Sequence, residues 1–180
     1  MQEQQHIEAA TRRWLERAVI GLSLCPFAKA VYVRAQVRIH ISDADNPEHL
    51  KDVLRAELLQ LAATPAEQID TTLLVHPRVL QDFFDYNDFL DEAEALVREL
   101  NLEGEIQIAS FHPDYQFAGT DPDDAGNNTN RAPYPMLHLL REASIDRAVA
   151  AYPSPDSIIE RNIATMQRLG QAGYKKLLEP

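Results

Sequence analysis

Hydrophobic residues in this chain switch repeatedly between two spacings, and that switching is what most limits the fold. Ile7, Ala10, Trp14, Ala18 and Leu22 recur every three or four residues, which predicts an opening helix over residues 4–22 that stops before Pro26. Val31, Val33, Ala35, Val37, Ile39 and Ile41 then alternate, the period of a half-buried strand over residues 32–41. Asn46 and Pro47 form a cap and first turn for a helix with Leu50, Val53, Leu54, Leu58 and Leu61 on one side. A short run at residues 71–75 reads as a second strand, stopped by His76–Pro77. Phe89, Ala93, Leu96, Val97 and Leu100 mark a helix over residues 88–100, with a break expected near Asp85. Ile106 and Ile108 belong to a third strand ending at His112–Pro113.

Beyond this point the pattern weakens. Residues 114–131 are rich in Asp, Asn and Pro, which favour turns and local side-chain capping. A connection of about 18 residues is long for a compact domain, and such loops often carry function. Pro133 or Pro135 is expected to open a helix containing Met136, Leu137, Leu139 and Leu140. Residues 148–152 read as a fourth strand ending at Pro153. Ser154 and Pro155 then start a last helix through Leu169, closed by Gly170. The order is a helix followed by four strand–helix units. It predicts a single α/β domain over residues 1–180 around a mostly parallel four-stranded sheet, with an α+β sandwich as the alternative.

Charge and composition narrow the function classes. The 180 residues carry 28 Asp and Glu against 17 Lys and Arg, a formal charge of -11. That field repels phosphate backbones and anionic membranes, and no long basic run offsets it, so neither nucleic acid nor membrane is an expected partner. No stretch of 18 apolar residues occurs and the first 13 residues are polar, which predicts a cytoplasmic protein. Cys25 is the one cysteine, so an intrachain disulfide and a cysteine-rich metal site are excluded. No glycine-rich phosphate loop or Gly-x-Ser-x-Gly elbow is present, and no cofactor is indicated.

Parallel strands would gather His76, His112 and Tyr152 at one carboxyl edge, with His40 near it, where open α/β sheets bind ligands. His40, His76 and His112 are weak metal candidates, since no His-x-x-x-His or Glu-x-x-His pair supports them. Cys25 is either a small buried hydrophobe or a nucleophile activated by His112, with Asp114 or an asparagine orienting the ring. Asn127, Asn130 and Arg131 precede the expected helix start, where free N–H groups and a two-pronged arginine suit an anion. His138 would lie a turn along that helix, facing the same place or the core.

Three segments carry a family likeness. They are Leu24–Cys25–Pro26–Phe27–Ala28, then His112–Pro113–Asp114–Tyr115–Gln116–Phe117, and third Asn127 through Arg131 with Pro133–Tyr134–Pro135 and His138–Leu139–Leu140–Arg141–Glu142. Through them the whole chain resembles a bacterial family of about 180-residue proteins catalogued as a domain of unknown function. The resemblance implies a bacterial source and brings no activity with it. From the residues, the leading expectation is a small enzyme acting on an anionic small molecule. Cys25, His112 and Tyr115 would be its catalytic groups, and Asp114, Asn127, Asn130, Arg131 and His138 would bind substrate. The alternatives are a non-catalytic anion-binding or regulatory domain and a protein-interaction domain.

Overall fold

A computed structural model describes residues 2–151, 154 and 157–180. Helix α1 (Gln2–Trp14) runs on into a wider π-helical segment, Leu15–Ile20, and a short helix α2 (Ala28–Val33) follows. Next come β1 (Val37–Ile41), α3 (Pro47–Ala63), β2 (Thr71–Val75), α4 (Phe83–Glu99) and β3 (Ile106–Phe111). A 3-10 turn at Ala125–Thr129 leads to β4 (Met136–Arg141), α5 (Glu142–Ala150) and α6 (Ile158–Leu178). The result is a single-domain α/β fold with an N-terminal helix and helix–strand units around a four-stranded sheet.

The sheet order is β1-β2-β4-β3. β1 and β2 pair in parallel across α3, whereas β4 is antiparallel to both of its neighbours. Three strands therefore point one way and β4 runs against them, so one of the three pairings is parallel.

Side-chain alternation divides the core in two. Leu74, Leu137, Leu139 and Ile106 face α3 and α4, where Leu50, Leu54, Leu58, Phe89 and Leu96 fill one cluster. Leu73, Val75 and Met136 face the other way, onto Ile7, Trp14, Val19, Met166 and Tyr174 from the terminal helices. Charge is also paired on the α3 side. Glu57 is buried there and takes a hydrogen-bonded ion pair from Arg38 at 2.8 Å, with His40 Nδ1 at 3.3 Å.

Several boundaries follow the sequence. The Asn46 side chain accepts from His49 N at 2.9 Å and starts α3, and β2 and β3 lie where their apolar runs predict. Four expectations are corrected. Val31 and Val33 sit in helix α2, Ala35 adopts φ 56°, and only residues 37–41 are extended. α4 is unbroken through Asp85 because Asp82 caps it one turn earlier, accepting from Phe84 N at 2.8 Å.

The third and fourth corrections concern the end of the sheet. Residues 136–141 form β4 instead of a helix. The strand lies between β2 and β3 with both faces covered, so it carries apolar residues at successive positions and shows no period of two. Ala148 to Ala150 are helical, in α5, and the Tyr152–Pro153 end expected for a fourth strand lies outside the described residues, as does Pro155. Gly170 interrupts α6 at φ 70°, and the helix resumes beyond it.

Candidate functional site

The carboxyl ends of β2 and β3 do bring His76 and His112 to one edge, beneath the long loop. The polar groups here are spent on structure, apart from the buried His76 Nε2, which has no partner among the described residues. His112 Nε2 faces Leu80 O at 3.1 Å, a carbonyl that can only accept, so Nε2 carries the proton. Its Nδ1 accepts from Asp114 N at 3.0 Å, and burial holds the ring below the usual histidine range. Both nitrogens are thus occupied. His76 is buried, donates from Nδ1 to Val79 O at 3.0 Å and is pushed down to about 4 by burial. His40 stands apart beside Glu57 on the α3 side. Among the described residues, no group of three or more His, Cys, Asp or Glu is placed to hold a metal ion.

The loop residues hold one another. Asn127 is fully buried; its Oδ1 accepts from Phe117 N at 3.0 Å and from Thr120 Oγ1 at 2.9 Å, and its Nδ2 donates to Asp121 O at 2.9 Å. Asn130 donates to Ser110 O at 3.1 Å. Arg131 donates to Tyr115 O at 3.0 Å, Pro122 O at 2.7 Å and Asn128 Oδ1 at 3.4 Å. Tyr115 packs its ring on Phe83 and Phe117, both at 5.1 Å. Arg131 does line an open cleft of about 430 Å³, but Asp82, Asp114 and Asp123 line it too. Because residues 136–141 are a strand, the helix start expected after Arg131 is absent, and the helix N-terminus that does border the cleft, that of α4, is already capped by Asp82. The geometry makes Arg131 a strut for the loop.

Cys25 and His112 do not meet. Cys25 packs with the cluster formed by the terminal helices, while the His112 ring lies 5.0 Å from Tyr86 of α4, in the core on the opposite face of the sheet. Cys25 instead lines a second and larger cavity, about 710 Å³, which falls within the range of small-molecule pockets. Its floor is the sheet face at Thr71, Leu73, His138 and Leu140, toward the amino-terminal ends of β1 and β2. Leu15 and Val19 of the π-helical segment form one wall, and α2 and α5 flank the opening. Neither α2 nor α5 has a fully buried residue, because both border this space.

The pocket floor holds one polar pair. Thr71 Oγ1 lies 2.6 Å from His138 Nε2 and 2.7 Å from Leu139 O. His138, expected on a helix, sits on β4, and burial pushes its imidazole down to about 4. The charged residues lining the pocket are Arg34, Asp70, Arg141 and Arg147. Arg34 and Arg147 are exposed. Arg141 hydrogen-bonds the carbonyls of Leu61, Thr64 and Ile69, and Ser144 Oγ donates to Asp70 at 2.6 Å.

Sequence reading missed this pocket because its lining residues are scattered across eight elements and none forms a motif. The nearest signal was the run Leu24–Cys25–Pro26–Phe27–Ala28, most of which does line it.

The profile of one protein family, described as protein of unknown function (DUF1415), matches residues 6–176. The chain belongs to the DUF1415 family. The match spans both cores, the loop and the pocket, so it concerns the whole fold. No curated protein and no solved structure matches this DUF1415 chain. Among its described residues no helix is long and apolar enough to cross a membrane.

The cysteine of the DUF1415 chain has a measurable signature. Burial raises the Cys25 thiol above its ordinary value, outweighing the backbone hydrogen bonds around Phe27 and Ala28 that lower it. Since the thiolate is the reactive form, iodoacetamide should modify native Cys25 more slowly at pH 7 than it modifies free cysteine. Urea should restore the ordinary rate. A native rate above that of free cysteine would show an activated thiolate.

Proposed function

We propose that this chain is a non-catalytic binding domain for a small amphipathic anion, held in the pocket between the sheet, α2 and α5. The observation that carries the reading is the charge of the rim. In a protein of net charge -11, the four charged residues lining an apolar pocket are three arginines and one aspartate. An apolar body would gain from burial against the floor, and its acid group would meet Arg34 and Arg147 at the mouth.

The catalytic alternative keeps one favourable fact, that Cys25 and His138 line the same pocket. Burial raises the thiol and lowers the imidazole, which opposes the thiolate–imidazolium pair such an enzyme needs. A protein-interaction role has less support. The exposed apolar side chains Val33, Leu59, Phe84 and Ile159 sit on four different helices.

Calorimetric titration with decanoate and with decanamide tests the reading. The acid should bind saturably and the neutral amide about tenfold more weakly, the effect of about 1.4 kcal/mol at a partly exposed arginine pair. The double substitution Arg34→Ala and Arg147→Ala should remove that difference and leave amide binding unchanged. Equal binding of acid and amide to the native protein would overturn the proposal.

A further inference from the structure

The floor of the pocket carries a hydrogen-bonding direction that the two contacts of Thr71 determine. Thr71 opens β2 and His138 lies on the neighbouring antiparallel strand β4, two pairs along the register, so both side chains are on the same sheet face. Leu139 O, 2.7 Å from Thr71 Oγ1, can only accept, and the hydroxyl has a single proton to give. With that proton committed, Thr71 Oγ1 accepts from His138 Nε2 at 2.6 Å. The imidazole is therefore held as the Nε2–H tautomer, and its Nδ1 carries a lone pair. No described residue donates to Nδ1, and the ring forms part of the pocket wall. Burial keeps the ring neutral at pH 7. The floor thus presents a fixed acceptor that no described residue serves, an arrangement that favours any ligand able to supply a donor.

The walls add a preference of shape. Trp14, Phe27 and Phe111 line the cavity, with Trp14 set edge-on to Phe111 at 5.1 Å and 70°, and Phe111 lies 6.1 Å from the His138 ring. Flat faces and edges of this kind suit an aromatic ring in offset or edge-to-face packing. Resting on the binding reading above, we infer that the ligand is a small aromatic acid whose ring bears a hydrogen-bond donor, a phenol O–H or an indole N–H. The donor meets His138 Nδ1, and the carboxylate meets Arg34 and Arg147.

The test compares 3-(4-hydroxyphenyl)propanoate, 3-phenylpropanoate and decanoate by calorimetry on the intact protein. The hydroxylated acid should bind about tenfold more tightly than its unsubstituted analogue, the effect of one buried hydrogen bond. His138→Phe should abolish that tenfold gap while 3-phenylpropanoate keeps its affinity. Thr71→Val leaves the imidazole in place but frees its tautomer, and should narrow the gap; this variant carries the test if His138→Phe fails to fold. Nitrogen NMR of the histidine-labelled protein should show a protonated Nε2 on His138, and an Nδ1 signal that moves with the hydroxylated acid only. Equal binding of the two aromatic acids, or a gap that survives both substitutions, overturns the inference and leaves the binding reading intact if decanoate still binds. Binding by none of the three acids overturns both.

Discussion

Lowering the pH from 7 to 4 should cost this protein several kcal/mol of folding stability before most carboxylates titrate. His76 and His138 are both pushed down to about 4 by burial, against an ordinary value of 6.5. The unfolded chain takes up these protons more readily than the folded one. Stability from each histidine is therefore fully present above pH 6.5, falls as the pH drops through the window from 6.5 to 4, and is lost below it. The limiting slope is about 1.4 kcal/mol per pH unit for each group, so each contributes on the order of 3 kcal/mol across the window. Burial lowers His112 as well, which works in the same direction. Urea unfolding at half-unit pH steps would measure this. His138→Phe should flatten the slope by the share of one proton, and a stability that stays level between pH 7 and 5 would refute the assignment.

The second large effect is expected from a single oxygen atom. Tyr86 of α4 is completely buried, its hydroxyl donates to Met136 O at 2.8 Å, and it accepts from Phe111 N at 3.0 Å. It joins α4 to the ends of β3 and β4 at the edge where His76 and His112 pack on its ring, at 5.8 and 5.0 Å. Tyr86→Phe conserves the ring and leaves a buried carbonyl and a half-buried N–H without a partner. At roughly 1–3 kcal/mol for each orphaned group, the loss should be about 3 kcal/mol. Denaturant midpoints at constant m-value check it. A loss below about 1 kcal/mol would mean that water replaces the hydroxyl there.

The two effects bear differently on function. The tyrosine belongs to the edge that holds the long loop in place, whereas His138 belongs to the pocket floor. An aromatic acid bound at His138 should stabilise the fold most at pH 7, where the imidazole is neutral and the carboxylate charged, and less toward pH 4, so it should steepen the acid-induced loss. Tyr86→Phe should weaken folding without changing the selectivity between the two aromatic acids.

What the sequence determined by itself was local. Asn46–Pro47 started α3, since a cap and a fixed φ act within one turn, and the apolar runs at Thr71 and Ile106 became β2 and β3, stopped by His–Pro pairs. The alternation of elements was enough for the α/β class. Residues 136–141 were misread because a strand buried on both faces has no polar side to reveal its period, and Pro135 before it imitates a helix start. Arg131 drew attention as an anion ligand, yet its donors went to the carbonyls of Tyr115 and Pro122, which only the folded loop brings within reach.

The pocket was decided by tertiary structure alone. Cys25, Arg34, Thr71, His138 and Arg147 come from five separate places in the chain, and nothing in their spacing links them. They converge because β4 inserts between β2 and β3, carrying His138 beside Thr71, while α2 and α5 stand over that face without filling it. Hydrophobic periodicity encodes which side of an element is buried, but not which other element will cover it or leave a space there.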